Sequence, residues 1–173
     1  MKQTRLLILT AMFLALGQVL PFITGQIPQI GKMLSPMHIP VLLCGFFCGP
    51  LYGAVMGFIC PLLRSMLFGM PVMFPSAVGM AFELLTYGLV TGLLSRRFGM
   101  KTYGKIYLTL IIAMIAGCLV WGLAQIVLLG MTGSAFTMQA FLAGAVINAV
   151  PGIILQLILI PLLVKLLAPR LKF

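Results

Sequence analysis

The chain has 173 residues, of which 62% are hydrophobic and only 7% are charged. So few polar side chains cannot cover the surface of a soluble domain. The basic residues behind the formal net charge of +10 are scattered between apolar segments, which excludes a nucleic-acid-binding protein. We therefore expect an all-α integral membrane protein in which residues 1–173 form one transmembrane domain.

Six apolar segments predict six transmembrane helices, at about residues 6–24, 38–48, 51–68, 75–95, 106–129 and 140–167. The first segment follows basic residues, as the apolar region of a signal peptide does. It is nevertheless long enough to span a bilayer, and the residues from Gly17 to Pro21 form a poor cleavage site. We therefore interpret it as a helix of the folded protein.

The count of six depends on the second and third segments, because residues 39–63 are almost continuously apolar and could form one helix. Gly49-Pro50 in their middle predicts a break, since proline lacks an N–H donor. Six helices with a cytoplasmic N-terminus also satisfy the positive-inside rule, because only Lys32 then lies outside, with Arg64 near that face. The cytoplasmic basic residues are Lys2, Arg5, Arg96, Arg97, Lys101, Lys105, Lys165, Arg170 and Lys172. We expect both termini in the cytoplasm.

The second segment is too short to cross a hydrocarbon core of about 30 Å at 1.5 Å per residue, so it must tilt or be sheltered by its neighbours. Glycines recur every four residues from Gly45 to Gly57 and again at Gly88 and Gly92. Small residues at this spacing allow helix backbones to approach closely, and we interpret them as packing positions.

The loop from Thr24 to Pro36 contains several glycines, prolines and glutamines but no helical or strand pattern. It is long, it lies outside in this topology, and it ends next to His38. Long loops of this kind are often functional, for example as active-site lids. We expect it to act as a lid.

Polar residues in the outer halves of five predicted helices fall at a common level, which predicts one outward-facing pocket. The candidate solute-binding residues are His38, Arg64, Glu83, Tyr87, Trp121, Gln125 and Asn148. Arg64 and Glu83 carry most of this hypothesis, because an ionisable group at membrane depth is costly and usually faces a protein interior or a solute path.

Some of these candidates also have a purely structural interpretation. Arg64 and Glu83 can pair with each other and hold two helices together. His38 can lie in the membrane interface, and Asn148 can satisfy backbone groups that Pro151 leaves free. The sequence leaves these interpretations open.

An enzyme is not expected, because one acidic residue and one histidine provide neither a carboxylate pair nor a Ser-His-Asp set. The chain has no phosphate-binding loop, so no nucleotide and no other cofactor is expected. Cys44 and Cys48 lie four residues apart, but neither a histidine nor an acid lies beside them, and we expect no metal site.

Two stretches resemble the substrate-binding S-components of energy-coupling factor (ECF) vitamin transporters. Ala11-Met12-Phe13-Leu14-Ala15 in the first segment is similar to the AxxxA motif of that family, and the block from Pro36 to Leu84 resembles the vitamin-type members. Size, helix count and cytoplasmic termini also match. The resemblance therefore covers essentially the whole chain.

The resemblance implies a role and partners. An S-component lies in the bacterial cell membrane, binds a small water-soluble vitamin from outside, docks through its first helix onto a transmembrane coupling subunit and topples to release the vitamin inside. Two cytoplasmic ATPase subunits drive the cycle. In this chain, Ala11 and Ala15 would form the docking surface, within the lipid bilayer.

The identity of the solute stays open at this stage. Arg64 suits the carboxylate of an anion such as pantothenate, whereas Glu83 and Trp121 suit a ring with hydrogen-bond donors, such as a B6 vitamer. Met37-His38 is similar to the start of cobalt and nickel S-components, but here the pair is internal and no second histidine exists. The alternatives are a stand-alone small-solute facilitator, which needs a polar path through both membrane halves, and a structural scaffold.

Overall fold

A computed structural model of the chain describes residues 2–23, 36–99, 102–131 and 149–169. Six α-helices fill most of these residues: α1 Lys2–Ile23, α2 His38–Cys48, α3 Pro50–Phe68, α4 Val78–Phe98, α5 Tyr103–Met131 and α6 Val150–Leu167. A short π-helical turn, Met73–Ala77, leads into α4. The described helices other than α2 are long and apolar enough to cross a membrane. The predicted all-α membrane fold is confirmed, although residues 140–148 of the sixth predicted segment lie outside the described part of the chain.

The predicted break between the second and third helices lies at Gly49. Its φ of +94° is a conformation that favours glycine, and its N–H donates to the carbonyl of Gly45 at 3.2 Å, which ends α2. Pro50 then begins α3, where the missing N–H of proline removes no helical hydrogen bond. One apolar stretch is thereby divided into two helices that can run in opposite directions.

Helix α2 has only 11 residues, and all of them are buried. It packs against α1, α3, α4 and α6, so its neighbours enclose it. Of the two solutions that the sequence allows for a helix too short to span, shelter by neighbours is therefore observed. This places His38, the first residue of α2, inside the bundle.

Helices α3 and α4 pack through their glycines. A Cβ atom placed on Gly53 would lie 2.7 Å from the carbonyl oxygen of Gly88, and one on Gly57 or Gly92 would come still closer to the backbone of the facing helix. Gly57 faces Leu84, Gly53 faces Gly88 and Pro50 faces Gly92. The two helices are therefore antiparallel and in direct backbone contact, as small residues four apart allow.

The α3–α4 contact predicts that Gly53→Ala destabilises the protein, because the added methyl group meets backbone that cannot move aside. Overpacking of this kind typically costs roughly 1–3 kcal/mol. We expect a lower apparent melting temperature in detergent. Gly104→Ala is the matched control, since a Cβ there meets nothing within 4 Å and alanine favours the helix. Equal melting temperatures for the two variants would contradict the close contact.

Candidate functional site

His38, Glu83 and Tyr87 form a group of contacting side chains between α2 and α4, which we call the Glu83 cluster. The Nε2 atom of His38 lies 3.5 Å from Oε1 of Glu83. The hydroxyl of Tyr87 donates to the same Oε1 at 3.1 Å, because residues four apart share a helix face. The rings of His38 and Tyr87 meet edge to face, with centroids 5.4 Å apart. The only acid in the chain is thus held by two aromatic side chains.

One ring nitrogen of the cluster is buried without a partner. His38 and Tyr87 are buried, and the Glu83 side chain is 16% exposed. The Nδ1 atom of His38 has no hydrogen-bond partner within the described parts of the chain. A neutral imidazole that donates from Nε2 to a carboxylate presents Nδ1 as an acceptor. Leaving such a buried atom unpaired costs about 1–3 kcal/mol, so a donor at this position would stabilise the site.

Helix α5 faces the cluster across two glycines. The ring of Tyr87 lies against Gly117, and a Cβ on Gly79 would lie 2.6 Å from Nε2 of Gln125 and 3.7 Å from Nε1 of Trp121. Both contacts belong to one antiparallel register of α4 and α5, which places Trp121 level with Glu83. Five predicted site residues are therefore brought into one region: His38, Glu83, Tyr87, Trp121 and Gln125.

Gly79 and Gly117 were not among the predicted site residues. Each removes a side chain where α4 and α5 would otherwise keep an aromatic or amide group away. Their signal in the sequence was the four-residue spacing, since Gly79 precedes Glu83 by one turn and Gly117 precedes Trp121 by one turn. A search for small residues one turn from the candidates would have found both.

Arg64 contacts α1. Its Nη1 donates to the carbonyl of Gln18 at 2.6 Å, and its Cζ lies 5.2 Å from the ring centroids of both Phe22 and Phe68. The residue is only 4% exposed. Hydrogen bonding and cation–π attraction therefore connect α3 to α1 at this point.

Arg64 and Glu83 do not pair with each other. Among the described residues, the ion pair that involves Glu83 is the one with His38. By the α3–α4 register, Arg64 is level with Ala77, which is about 9 Å along the helix axis from Glu83 at 1.5 Å per residue. The staple that the sequence suggested between these two residues is absent from this part of the structure, and a different one, from Arg64 to α1, is present. A role of Arg64 in binding solute stays a prediction.

Asn148 and residues 24–35 of the predicted lid lie outside the described part of the chain. The described groove between α4 and α5 has a volume of about 300 Å³ and is lined by Phe82, Val120, Leu123, Ala124, Val127 and Leu128. Because this lining offers no polar side chain, the groove suits a lipid chain better than a polar solute. The polar side chains of this region belong to the Glu83 cluster instead.

The predicted docking residues lie on the outer face of α1. Ala11 and Ala15 are exposed, as are Leu7 and Val19 on the same side. The opposite face carries Phe13, which stacks on a phenylalanine of α2, and Gly17, which lies against Cys60 of α3. A partner can therefore reach the alanines without displacing any of the described helices.

The contacts of Arg64 predict that Arg64→Met lowers thermal stability more than it lowers solute affinity. The methionine keeps much of the apolar length but loses the hydrogen bond to Gln18 and both cation–π contacts, at a cost of roughly 1–3 kcal/mol. Melting temperature and solute affinity are measured on the same preparation. Arg97→Met, at an exposed position near the end of α4, is the control. The reverse ranking would assign Arg64 to the solute site.

Comparison with known families shows that the family model described as ECF transporter, substrate-specific component matches residues 5–164. The match begins in α1 and ends within α6, so it includes the whole Glu83 cluster and both exposed alanines. Comparisons with curated proteins and with solved structures find no match.

Proposed function

The chain belongs to the substrate-specific components of ECF transporters, and we propose that it captures a small water-soluble vitamin at the Glu83 cluster and delivers it through a coupling subunit. Membership makes it a multi-pass membrane protein that binds a small-molecule substrate and works with ECF coupling and ATPase subunits. It also makes the chain a transporter subunit and not an enzyme. The location of the site, the class of vitamin and the docking surface are our proposals.

The observation that carries the proposed site is the pairing of the partly buried Glu83 with the buried His38. Both are ionisable groups inside a membrane bundle, where such groups are rare and mark a substrate path or a functional pair. The cluster also has an unused acceptor, Nδ1 of His38, and it lies level with Trp121 of α5. A polar site with aromatic walls suits a vitamin that carries both a ring or chain and polar groups.

We propose that the cluster opens outward and that both termini are cytoplasmic. Support comes from the basic residues, which gather at the other end of the bundle. Arg96 lies against Gly49 at the end of α2, and Nζ of Lys165 lies 5.0 Å from the ring centroid of Tyr103. Because basic residues accumulate on the cytoplasmic side, that end would face the cytoplasm. His38 starts α2 at the opposite end and would therefore face outside.

A stand-alone facilitator is less well supported by the described residues. The buried hydroxyls nearer the cytoplasmic end belong to Thr91, Ser95 and Thr109. Each donates to a carbonyl of its own helix, so these groups are already satisfied and do not form a polar path. This arrangement favours a binding site at one end over a channel through both halves.

We expect that one water-soluble vitamin raises the melting temperature of the purified protein, because a ligand that binds only the folded state stabilises it. The test is a thermal-shift screen in detergent against vitamins and their precursors, with cobalt and nickel ions included. Glu83→Gln and His38→Phe should each reduce the shift. Thr86→Val is the matched control, because its hydroxyl bonds to its own helix beside Glu83. If both site variants keep the full ligand-induced rise in melting temperature, the solute binds at another site.

We also expect that Ala11→Trp and Ala15→Trp abolish uptake while solute binding is retained, because a large ring on the exposed face of α1 would block a close helix contact. Uptake is measured in cells that contain the coupling and ATPase subunits, and binding is measured on purified protein. Leu119→Trp, at an exposed apolar position of α5, is the control. Unchanged uptake in both alanine variants would defeat the docking surface.

A further inference from the structure

We propose that the Glu83 cluster selects a neutral or positively charged ring compound that donates a hydrogen bond, and that it discriminates against anions. This inference rests on the proposed function, since it concerns the ligand of the same site. It decides between the two solute classes that the sequence left open, in favour of the ring with donors and against the carboxylate.

The charge of the Glu83 cluster disfavours an anion. Glu83 is the only acidic residue in the chain, and its partner is the only histidine. If His38 is neutral, the pair has a formal charge of −1, and if His38 is protonated, the charge is zero. In neither state is the pair positive. An anion placed beside Glu83 would therefore meet a like charge or at best a neutral pair, which is how binding sites reject wrong ligands.

The positions of the basic side chains also disfavour a bound carboxylate. Arg64 is directed to α1, where it donates to the carbonyl of Gln18 between two phenyl rings. Arg96 and Lys165 lie at the other end of the bundle, against Gly49 and Tyr103. Among the described residues, no ion pair brings a lysine or arginine to Glu83. A bound carboxylate would lack the fork of donors that arginine usually provides.

The balance of hydrogen-bond donors and acceptors in the cluster favours a ligand that donates. The hydroxyl of Tyr87 already donates to Glu83, and Nε2 of His38 is directed to the same carboxylate oxygen. Within the cluster itself, the groups left for a solute are acceptors: the carboxylate and, when His38 is neutral, Nδ1. A site built from buried acceptors requires a ligand with N–H or O–H groups, and it rejects analogues that lack them.

The aromatic side chains around the cluster favour a ligand with a flat ring. Gly79 and Gly117 bring Trp121 and Tyr87 close to the α4–α5 interface at the level of Glu83. Aromatic faces bind flat rings and cations. The rings of His38 and Tyr87 already pack edge to face. A ring that carries a donor matches both the aromatic walls and the acceptors.

The test uses matched pairs that differ in charge: pyridoxine with 4-pyridoxate, nicotinamide with nicotinate, and panthenol with pantothenate. Affinity is measured by calorimetry on the purified wild-type protein in detergent at neutral pH, together with the thermal-shift screen. We expect the compounds that bind to be neutral or cationic ring compounds, and a neutral ring member to bind at least about tenfold more tightly than its anionic partner. Because this ratio is measured on the wild type, it does not depend on any variant folding.

Variants then identify the cause of the ratio. Glu83→Gln should reduce the preference for the neutral member about tenfold, because the repelling charge is gone. Arg64→Gln should leave the ratio within about twofold, since Arg64 is directed to α1, and on this proposal Lys32→Gln should do the same. A merely structural role of Glu83 would weaken both members equally.

Three outcomes would overturn the inference. If an anionic member binds more tightly than its neutral partner, the ligand class is wrong while the binding function stands. The same holds if Arg64→Gln or Lys32→Gln selectively removes binding of the anion. If no compound in the pairs or the screen raises the melting temperature, the proposed binding function fails, and this inference fails with it.

Discussion

The enclosure of α2 is the constraint on which the rest of the structure depends. An apolar helix of 11 residues spans about 16 Å at 1.5 Å per residue, so in a membrane it would leave its ends in hydrocarbon unless protein covers them. The bundle solves this by surrounding α2 with α1, α3, α4 and α6. The same enclosure carries His38 inside, where a titratable ring can meet a carboxylate away from bulk water.

Helix α4 connects this fold to the site because it packs on two sides. The face with Leu84, Gly88 and Gly92 contacts α3 through backbone, and the face with Gly79 and Tyr87 contacts α5. Contacts made through glycine backbone leave little freedom to slide, since an added atom has no room. Glu83 therefore has a fixed position along the bundle relative to His38 and Trp121, as the proposed solute site requires.

The sequence predicted the helices well because their signals are local. Apolar length and the Gly49-Pro50 break each depend on neighbouring residues alone. The partners of Arg64 and Glu83 were harder to predict, because they depend on which helices touch. Because the chain has one acid, the sequence allows a pair between Glu83 and Arg64 as the structural alternative to a solute site. The buried start of α2 instead supplies His38 to Glu83, and α1 supplies a carbonyl and a ring to Arg64.

Arg64 and Glu83 have different partners, and on the proposed function they therefore have different roles in transport. A carbonyl and two rings stabilise the charge of Arg64 without neutralising it, and they connect α3 to the helix that carries Ala11 and Ala15. Glu83 is held by His38 and Tyr87, and on the proposed function it defines the charge that a solute meets. On the proposed function, α1 therefore contacts the coupling subunit on one face and α3 on the other. Since α1 packs directly on α2, which carries His38, and on α3, which packs on α4, a movement of α1 against its partner would reach the Glu83 cluster from both of its helices.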